Sequence, residues 1–178
     1  MCGIAGIMTA DGSAPDADVL TALQSALQHR GPDGMGQYLG EGIGLAHARL
    51  AIIDLETGDQ PIQAPDGATL IANAEIYNYV ELRQALDEEG DAVAWQTRSD
   101  CEPALHLYRR HGIDFAEQLR GMYAIAIHDP TAGQLILARD PFGIKPVYYV
   151  EGDFGFAFAS EPSALISAGL RAGKLNDR

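Results

Sequence analysis

Apolar residues recur along this chain at two spacings, one typical of helices and the other of strands. Between residues 15 and 29, Leu20, Leu23 and Leu27 share one stripe at intervals of three and four, which predicts an amphipathic helix. Pro15 stands near its start, where the missing N–H is least costly. A glycine-containing loop is expected to end this helix.

Two further helices are predicted where a capping residue is followed three positions later by a glutamate. Asn78 with Glu81 marks one start, and Ser99 with Glu102 marks the other. Asp100, directly after Ser99, would stabilise the second helix through its dipole.

Short apolar runs between turn residues predict strands. In the run 122–129, Tyr123, Ile125 and Ile127 point one way and the alanines between them point the other, so both faces are apolar. A half-exposed sheet would alternate apolar with polar residues, so the last four runs predict an antiparallel sheet covered on both sides, and the fold class is α+β, a layered sandwich. The predicted strands are 2–8, 43–53, 69–73, 122–129, 134–140, 144–150 and 154–160.

Length and charge narrow the function. The 178 residues suit one domain, 1–178, and a net charge of -13 makes nucleic acid and anionic membranes poor partners. No apolar run is long enough to span a membrane, and the N-terminus lacks signal-peptide features, so a cytoplasmic location is expected. Cys2 and Cys101 alone cannot form a zinc site, and neither a metal nor a cofactor is expected.

The position of Cys2 gives it a possible chemical role. Removal of the initiator Met1 would leave a thiol beside a free α-amine, and the amine could take the thiol proton without a histidine base. On position alone, a small buried strand residue is the better interpretation.

Ordered blocks of sequence reverse that preference, because together they resemble the class II glutamine amidotransferase domain, and most of all the glutaminase domain of asparagine synthetases. The resemblance implies the N-terminal-nucleophile hydrolase fold, a four-layer αββα sandwich of two antiparallel sheets, with no synthetase domain in this chain. The blocks are MCGIAGI at 1–7, HRGPDG at 29–34, HARLAIIDL at 47–55, GDQPI at 58–62, NAEIYNY at 73–79, RSDCE at 98–102, LARDPFGIKPVYY at 137–149 and FAFASE at 156–161.

The resemblance implies that Cys2 attacks the glutamine amide, forms a γ-glutamyl thioester and releases ammonia. Asn73 and the backbone N–H of residue 74 would stabilise the oxyanion. The family keeps glycine at this second position, and this chain has Ala74. At a negative φ the donor would be intact, whereas a glycine-type φ would distort it.

The same resemblance implies the residues that hold the substrate. Arg49 would bind the α-carboxylate of L-glutamine, with the backbone near Ile52 lining the pocket, and Glu75 and Asp100 would hold the ammonium group. For Asp100, stabilisation of the helix through its dipole stays open beside this role. The loop 29–34 is expected to be structural.

Three functions remain open from the sequence. The first is an active glutaminase that supplies ammonia to a synthetase domain or subunit. The second is a weakened, glutamine-binding regulatory module, suggested by Ala74. The third, an acylase for another amide, is disfavoured by Arg49, Glu75 and Asp100 together.

Overall fold

The computed structural model describes residues 1–89 and 93–170. Residues 90–92 and 171–178, which belong to the predicted domain 1–178, lie outside the described residues.

The chain divides into two compact units. One comprises Met1–Leu50 and Pro146–Arg178, and the other comprises Ala51–Lys145. Short 3-10 helices add to the regular elements at Gln28–Arg30 and Gly112–Gln118. The regular elements in chain order are β1 (Gly3–Thr9), α1 (Ala17–Leu27), β2 (Gly34–Gly40), β3 (Ile43–Arg49), β4 (Ile62–Gln63), β5 (Thr69–Ile76), α2 (Tyr79–Glu88), α3 (Glu102–His111), β6 (Gly121–Asp129), β7 (Gln134–Arg139), β8 (Tyr148–Gly152), β9 (Gly155–Ala159) and α4 (Pro162–Ser167).

The first unit is built on a five-stranded antiparallel sheet in the order β2-β3-β1-β9-β8. Leu23 and Leu27, from the predicted stripe of α1, lie in one apolar cluster with Ala5 and Ile7 of β1 and Leu165 of α4. Alternate residues of β1 thus pack against the helices, as the two-residue period of a strand requires.

The second unit is built on a four-stranded antiparallel sheet in the order β4-β5-β6-β7. Leu86 of α2 and Leu105 and Tyr108 of α3 form its core with Leu70 and Ala72 of β5. The even-numbered residues of β5 therefore face the helices, and its odd-numbered residues face the opposite side of the sheet.

The predicted α+β class with antiparallel sheets is confirmed, but the interpretation of the last four runs as one sheet is wrong. The strands β6 and β7 belong to the second sheet, and β8 and β9 belong to the first. Burial on both faces is correct for β6, in which all residues of 123–128 are buried. It is wrong for β8, an edge strand whose Tyr149 is 67% exposed.

The strand predicted at 144–150 begins only at Tyr148. Ahead of it, the Asp140 carboxylate accepts hydrogen bonds from three of the next five backbone N–H groups, which bends the chain into a loop. Pro146, which has no N–H to donate, then interrupts any ladder.

The two predicted capping boxes do not form. The helix α2 begins after Asn78 as predicted, but the Asn78 side chain bonds the backbone of Gln118 and Arg120 instead of its own helix. The helix α3 begins at Glu102, three residues later than expected, and Ser99 Oγ accepts the N–H of Cys101. Local spacing alone does not determine which backbone N–H a short polar side chain binds.

Candidate active site

The Cys2 thiol lies beside the chain that leaves β3. The Leu50 N–H points to Cys2 Sγ at 3.4 Å, and Leu50 O lies 3.6 Å from the same sulfur. Pairing of Gly3 with Ala48 fixes this position, because it brings the start of β1 next to the end of β3. Arg49, predicted to bind a carboxylate, is the buried last residue of β3.

The loop 29–34 holds the residue that carries this thiol. Arg30 Nε donates to Cys2 O at 3.0 Å, and Arg30 Nη1 donates to Glu161 at 2.7 Å. The Arg30 hydrogen bond keeps the pKa of Glu161 below its ordinary value. A Cβ on Gly31 would collide with the Ala48 carbonyl, so only glycine lets the loop cross the strand this closely. These contacts give the loop the expected structural task.

The second unit contains Asn73, Ala74, Glu75, Asp100 and Ile52. Ile52 follows β3 in an irregular stretch, with its side chain 59% exposed, so the strand predicted at 43–53 is too long. Glu75 lies on the same face of β5 as Asn73, because strand residues alternate. Of the remaining three residues, Asn73 and Ala74 are consecutive in β5, and Asp100 contacts this strand at the Ile76 N–H.

Asn73 carries a buried donor that is unused in the described part of the chain. Its side chain is 2% exposed, and its Nδ2 atom has no hydrogen-bond partner there. An unsatisfied buried donor costs about 1–3 kcal/mol, so such groups call for an explanation in a folded protein. An acceptor from a ligand would remove that cost.

Ala74 sits in extended backbone within β5, opposite Tyr123. Among the described residues, Asp54 is the only non-glycine residue with a left-handed φ, so Ala74 is free of that strain. Its methyl group packs against the helix-facing core. The departure from glycine therefore places no methyl group on the Asn73 side of the sheet.

The N–H groups of Ala72, Ala74 and Ile76 point to the same edge of β5, away from β6. Tyr123, the partner of Ala74 on β6, directs its own N–H and C=O to Asp140, so the Ala74–Tyr123 pair exchanges no hydrogen bonds. On the far edge, β4 pairs only as far as Leu70.

Side chains occupy this edge on either side of Ala74. Gln60 Oε1 accepts the Ala72 N–H at 2.6 Å, and Asp100 Oδ2 accepts the Ile76 N–H at 2.7 Å. The Ala74 N–H lies between them, about 7 Å along the strand from that of Ile76. Sequence reasoning assigned no role to Gln60, although it stands in the quoted GDQPI block.

Asp100 is a carboxylate in a setting suited to a cation. It is 4% exposed, and burial raises its pKa above the ordinary value despite the hydrogen bond from the Ile76 N–H. It precedes α3 by two residues, and its carboxylate binds the backbone of β5, so it makes no side-chain cap for α3. A bound ammonium group would stabilise its ionised form.

The described ranges contain neither a cluster of metal ligands nor a helix that could span a membrane. Within residues 1–89 and 93–170, no group of three or more His, Cys, Asp or Glu is arranged to hold a metal ion. No helix of these ranges is long and apolar enough to cross a membrane.

Comparison with known proteins gives consistent matches. A family model described as a glutamine amidotransferase domain matches residues 1–177. Asparagine synthetase [glutamine-hydrolyzing] 2 of Bacillus subtilis is 39% identical over 173 residues, covering 94% of this chain and 22% of that protein. Asparagine synthetase [glutamine-hydrolyzing] 3 of Arabidopsis thaliana is 40% identical over 168 residues, covering 93% of this chain and 28% of that protein. The chain thus spans about a quarter of the length of these relatives.

A solved structure gives the same picture for the fold. Glutamine phosphoribosylpyrophosphate amidotransferase from B. subtilis, complexed with ADP and GMP, matches with a TM-score of 0.75 at 25% identity. The match covers 94% of this chain and 44% of that one.

Proposed function

The chain belongs to the glutamine amidotransferase domain family, and on that premise we propose that it hydrolyses the side-chain amide of glutamine through a thioester on Cys2. The observation that carries the proposal is the edge of β5. There the Ala74 N–H lies about 7 Å from the Ile76 N–H, which the buried Asp100 carboxylate binds. The neighbouring Asn73 has a buried amide donor with no partner among the described residues. This arrangement supports a small substrate with an amide at one end and an ammonium group at the other.

In the proposed reaction, the Cys2 thiolate attacks the amide carbon, and the C=O electron pair moves to oxygen. Asn73 Nδ2 and the Ala74 N–H donate to that oxyanion. The α-amine of Cys2, having taken the thiol proton, returns it to the leaving nitrogen, so ammonia departs as the C–N bond breaks. Water then hydrolyses the thioester to glutamate and restores the thiol.

Substrate recognition is assigned to groups of opposite charge. Arg49 would bind the α-carboxylate, Asp100 and Glu75 the α-ammonium, and the backbone near Ile52 would line the pocket. The burial of Asp100 supports its part, because a buried anion gains most from a paired cation.

The proposed mechanism requires removal of Met1, since an amide nitrogen cannot act as the base. Met1 is 54% exposed, which suits processing. Because the family model matches residues 1–177, we assign both compact units to one functional domain, 1–178.

The ammonia would serve a synthetase domain or subunit. The asparagine synthetases that match are about four times longer than the part shared with this chain, which supports an acceptor module beyond the glutaminase. A cytoplasmic location fits the two free cysteines, since a reducing compartment would keep Cys2 as a thiol.

The alternative of a weakened regulatory module was motivated by Ala74. With residue 74 in extended backbone and its methyl group on the core side, no observation now favours it.

The test incubates the purified chain with glutamine and measures glutamate and ammonia. Mass spectrometry should show the loss of Met1 and an adduct of an electrophilic glutamine analogue on Cys2. Glutamine binding without turnover by the processed chain would contradict the proposal.

A further inference from the structure

The stretch 93–101 carries the buried Asp100 carboxylate near its end and contains no helix or strand. Irregular chain of this kind has no ladder to hold its polar groups, so side chains must bind them. The Ser99 N–H donates to Thr97 Oγ1 at 3.1 Å. Two side chains from outside this stretch, those of Glu102 and Arg83, bind several of its backbone groups.

The first of these side chains is that of Glu102, whose carboxylate is fully buried. It accepts the N–H of Gln96 at 2.8 Å, the N–H of Thr97 at 2.8 Å and Thr97 Oγ1 at 2.7 Å. Burial opposes its ionisation, but hydrogen bonds from His106, Gln96 and Thr97 prevail and lower the pKa of Glu102 to about 2. It is therefore a permanent anion at neutral pH.

The second of these side chains is that of Arg83, in α2. Its Nη2 donates to Thr97 O at 2.8 Å and to Ser99 O at 3.0 Å, and it lies 3.5 Å from Glu102 Oε2. The guanidinium is held over the Trp95 ring, 4.1 Å from its centroid. One side chain thus fixes two carbonyls of the stretch.

We infer that Glu102 and Arg83 are positioning residues that set where the Asp100 carboxylate stands for the substrate. This inference rests on the proposed function, in which Asp100 binds the α-ammonium. Asp100 directly follows Ser99, whose carbonyl Arg83 holds, and it precedes Glu102 by two residues. Movement of Ser99 or of Glu102 would shift the Asp100 carboxylate from the Ile76 N–H that fixes it.

The cluster of Glu102 and Arg83 satisfies backbone groups of a stretch that has no ladder, and this by itself stabilises the fold. The cluster also fixes the orientation of the chain that carries Asp100. It holds backbone groups on both sides of Thr97 and up to the residue before Asp100, so the carboxylate is in place before a ligand arrives. Such preorganisation lowers the cost of binding.

The test compares glutamine with 4-carbamoylbutanoate, the same molecule without its α-amino group, by following ammonia release from the full chain. The Glu102→Gln variant keeps the volume but loses the paired acceptors. We expect its kcat/KM for glutamine to fall about 10- to 100-fold, mostly through KM, while kcat/KM for the analogue changes little. Arg83→Met, which keeps much of the aliphatic stem, should show the same pattern.

The Leu105→Ala variant, in the core on the same helix, is the matched control for lost stability. It should leave the ratio of the two substrates unchanged. If Glu102→Gln and Arg83→Met also leave this ratio unchanged, the residues only stabilise the fold and the inference is wrong. A wild-type chain that releases no ammonia from glutamine would instead overturn the proposed function, and the inference with it.

Discussion

Asp100→Asn separates the energy that Asp100 gives to folding from the energy it gives to binding. The amide oxygen can still accept the Ile76 N–H, so the link between β5 and the stretch ahead of α3 should survive. The charge for the ligand ammonium is lost. Removing one partner of a buried, hydrogen-bonded charge pair costs about 2–5 kcal/mol, which corresponds to about 30-fold to several thousand-fold weaker glutamine binding.

The stability of the fold should respond to Asp100→Asn in the opposite direction to glutamine affinity. Burial raises the pKa of Asp100 above 3.8, so the folded state disfavours its ionised form. Wild-type stability therefore falls as the pH rises from the unfolded-state pKa through the folded-state pKa. Asn has no such dependence. The variant should be at least as stable as the wild type at pH 7, and this advantage should vanish in acid.

The measurements are calorimetric titration with glutamine, in a Cys2→Ala background that prevents turnover, and urea unfolding across pH. Asp18→Asn, on an exposed residue of α1, is the control and should leave affinity unchanged. Equal glutamine affinity for Asp100→Asn and the control would refute the reasoning, as would a large loss of stability at neutral pH.

Three further variants test the reaction itself. Cys2→Ala should abolish ammonia release from glutamine with an unchanged circular dichroism spectrum, and residual turnover would contradict the thioester. Asn73→Ala should lower kcat about 10²- to 10³-fold by removing an oxyanion donor, yet leave urea stability equal or higher, because an unsatisfied buried donor disappears. Ala74→Gly should leave kcat unchanged and cost about 0.5–1 kcal/mol of stability through chain entropy, and a large rise in kcat would restore the weakened-module hypothesis.

The sequence predicts the local elements better than their pairing. Leu20, Leu23 and Leu27 identify α1 because helix periodicity is a local property. Sheet membership is not local: β1 pairs with β3 and also with β9, whose residues lie about 150 positions further along the chain. No short window contains that information, which is why the sequence pattern groups β8 and β9 in one sheet with β6 and β7.

The same distinction applies to the candidate site. Cys2, Arg49, Asn73 and Asp100 could be proposed because their blocks resemble a known family. Glu102 was interpreted as a capping residue from its spacing to Ser99, although its carboxylate turns to Gln96 and Thr97 instead. A buried carboxylate satisfies whichever N–H groups the tertiary fold brings to it, and these do not follow from spacing.

The edge of β5 also bears on which molecules can be recognised. The unpaired N–H and C=O groups of an open sheet edge can bind another peptide strand. Here Gln60 and Asp100 occupy the positions that an incoming strand would need on either side of Ala74. The gap is one N–H wide, too narrow for a polypeptide and sufficient for a single amide oxygen. Gln60 and Asp100 thereby protect this edge against the addition of a peptide strand, as polar and charged side chains do on other exposed sheet edges.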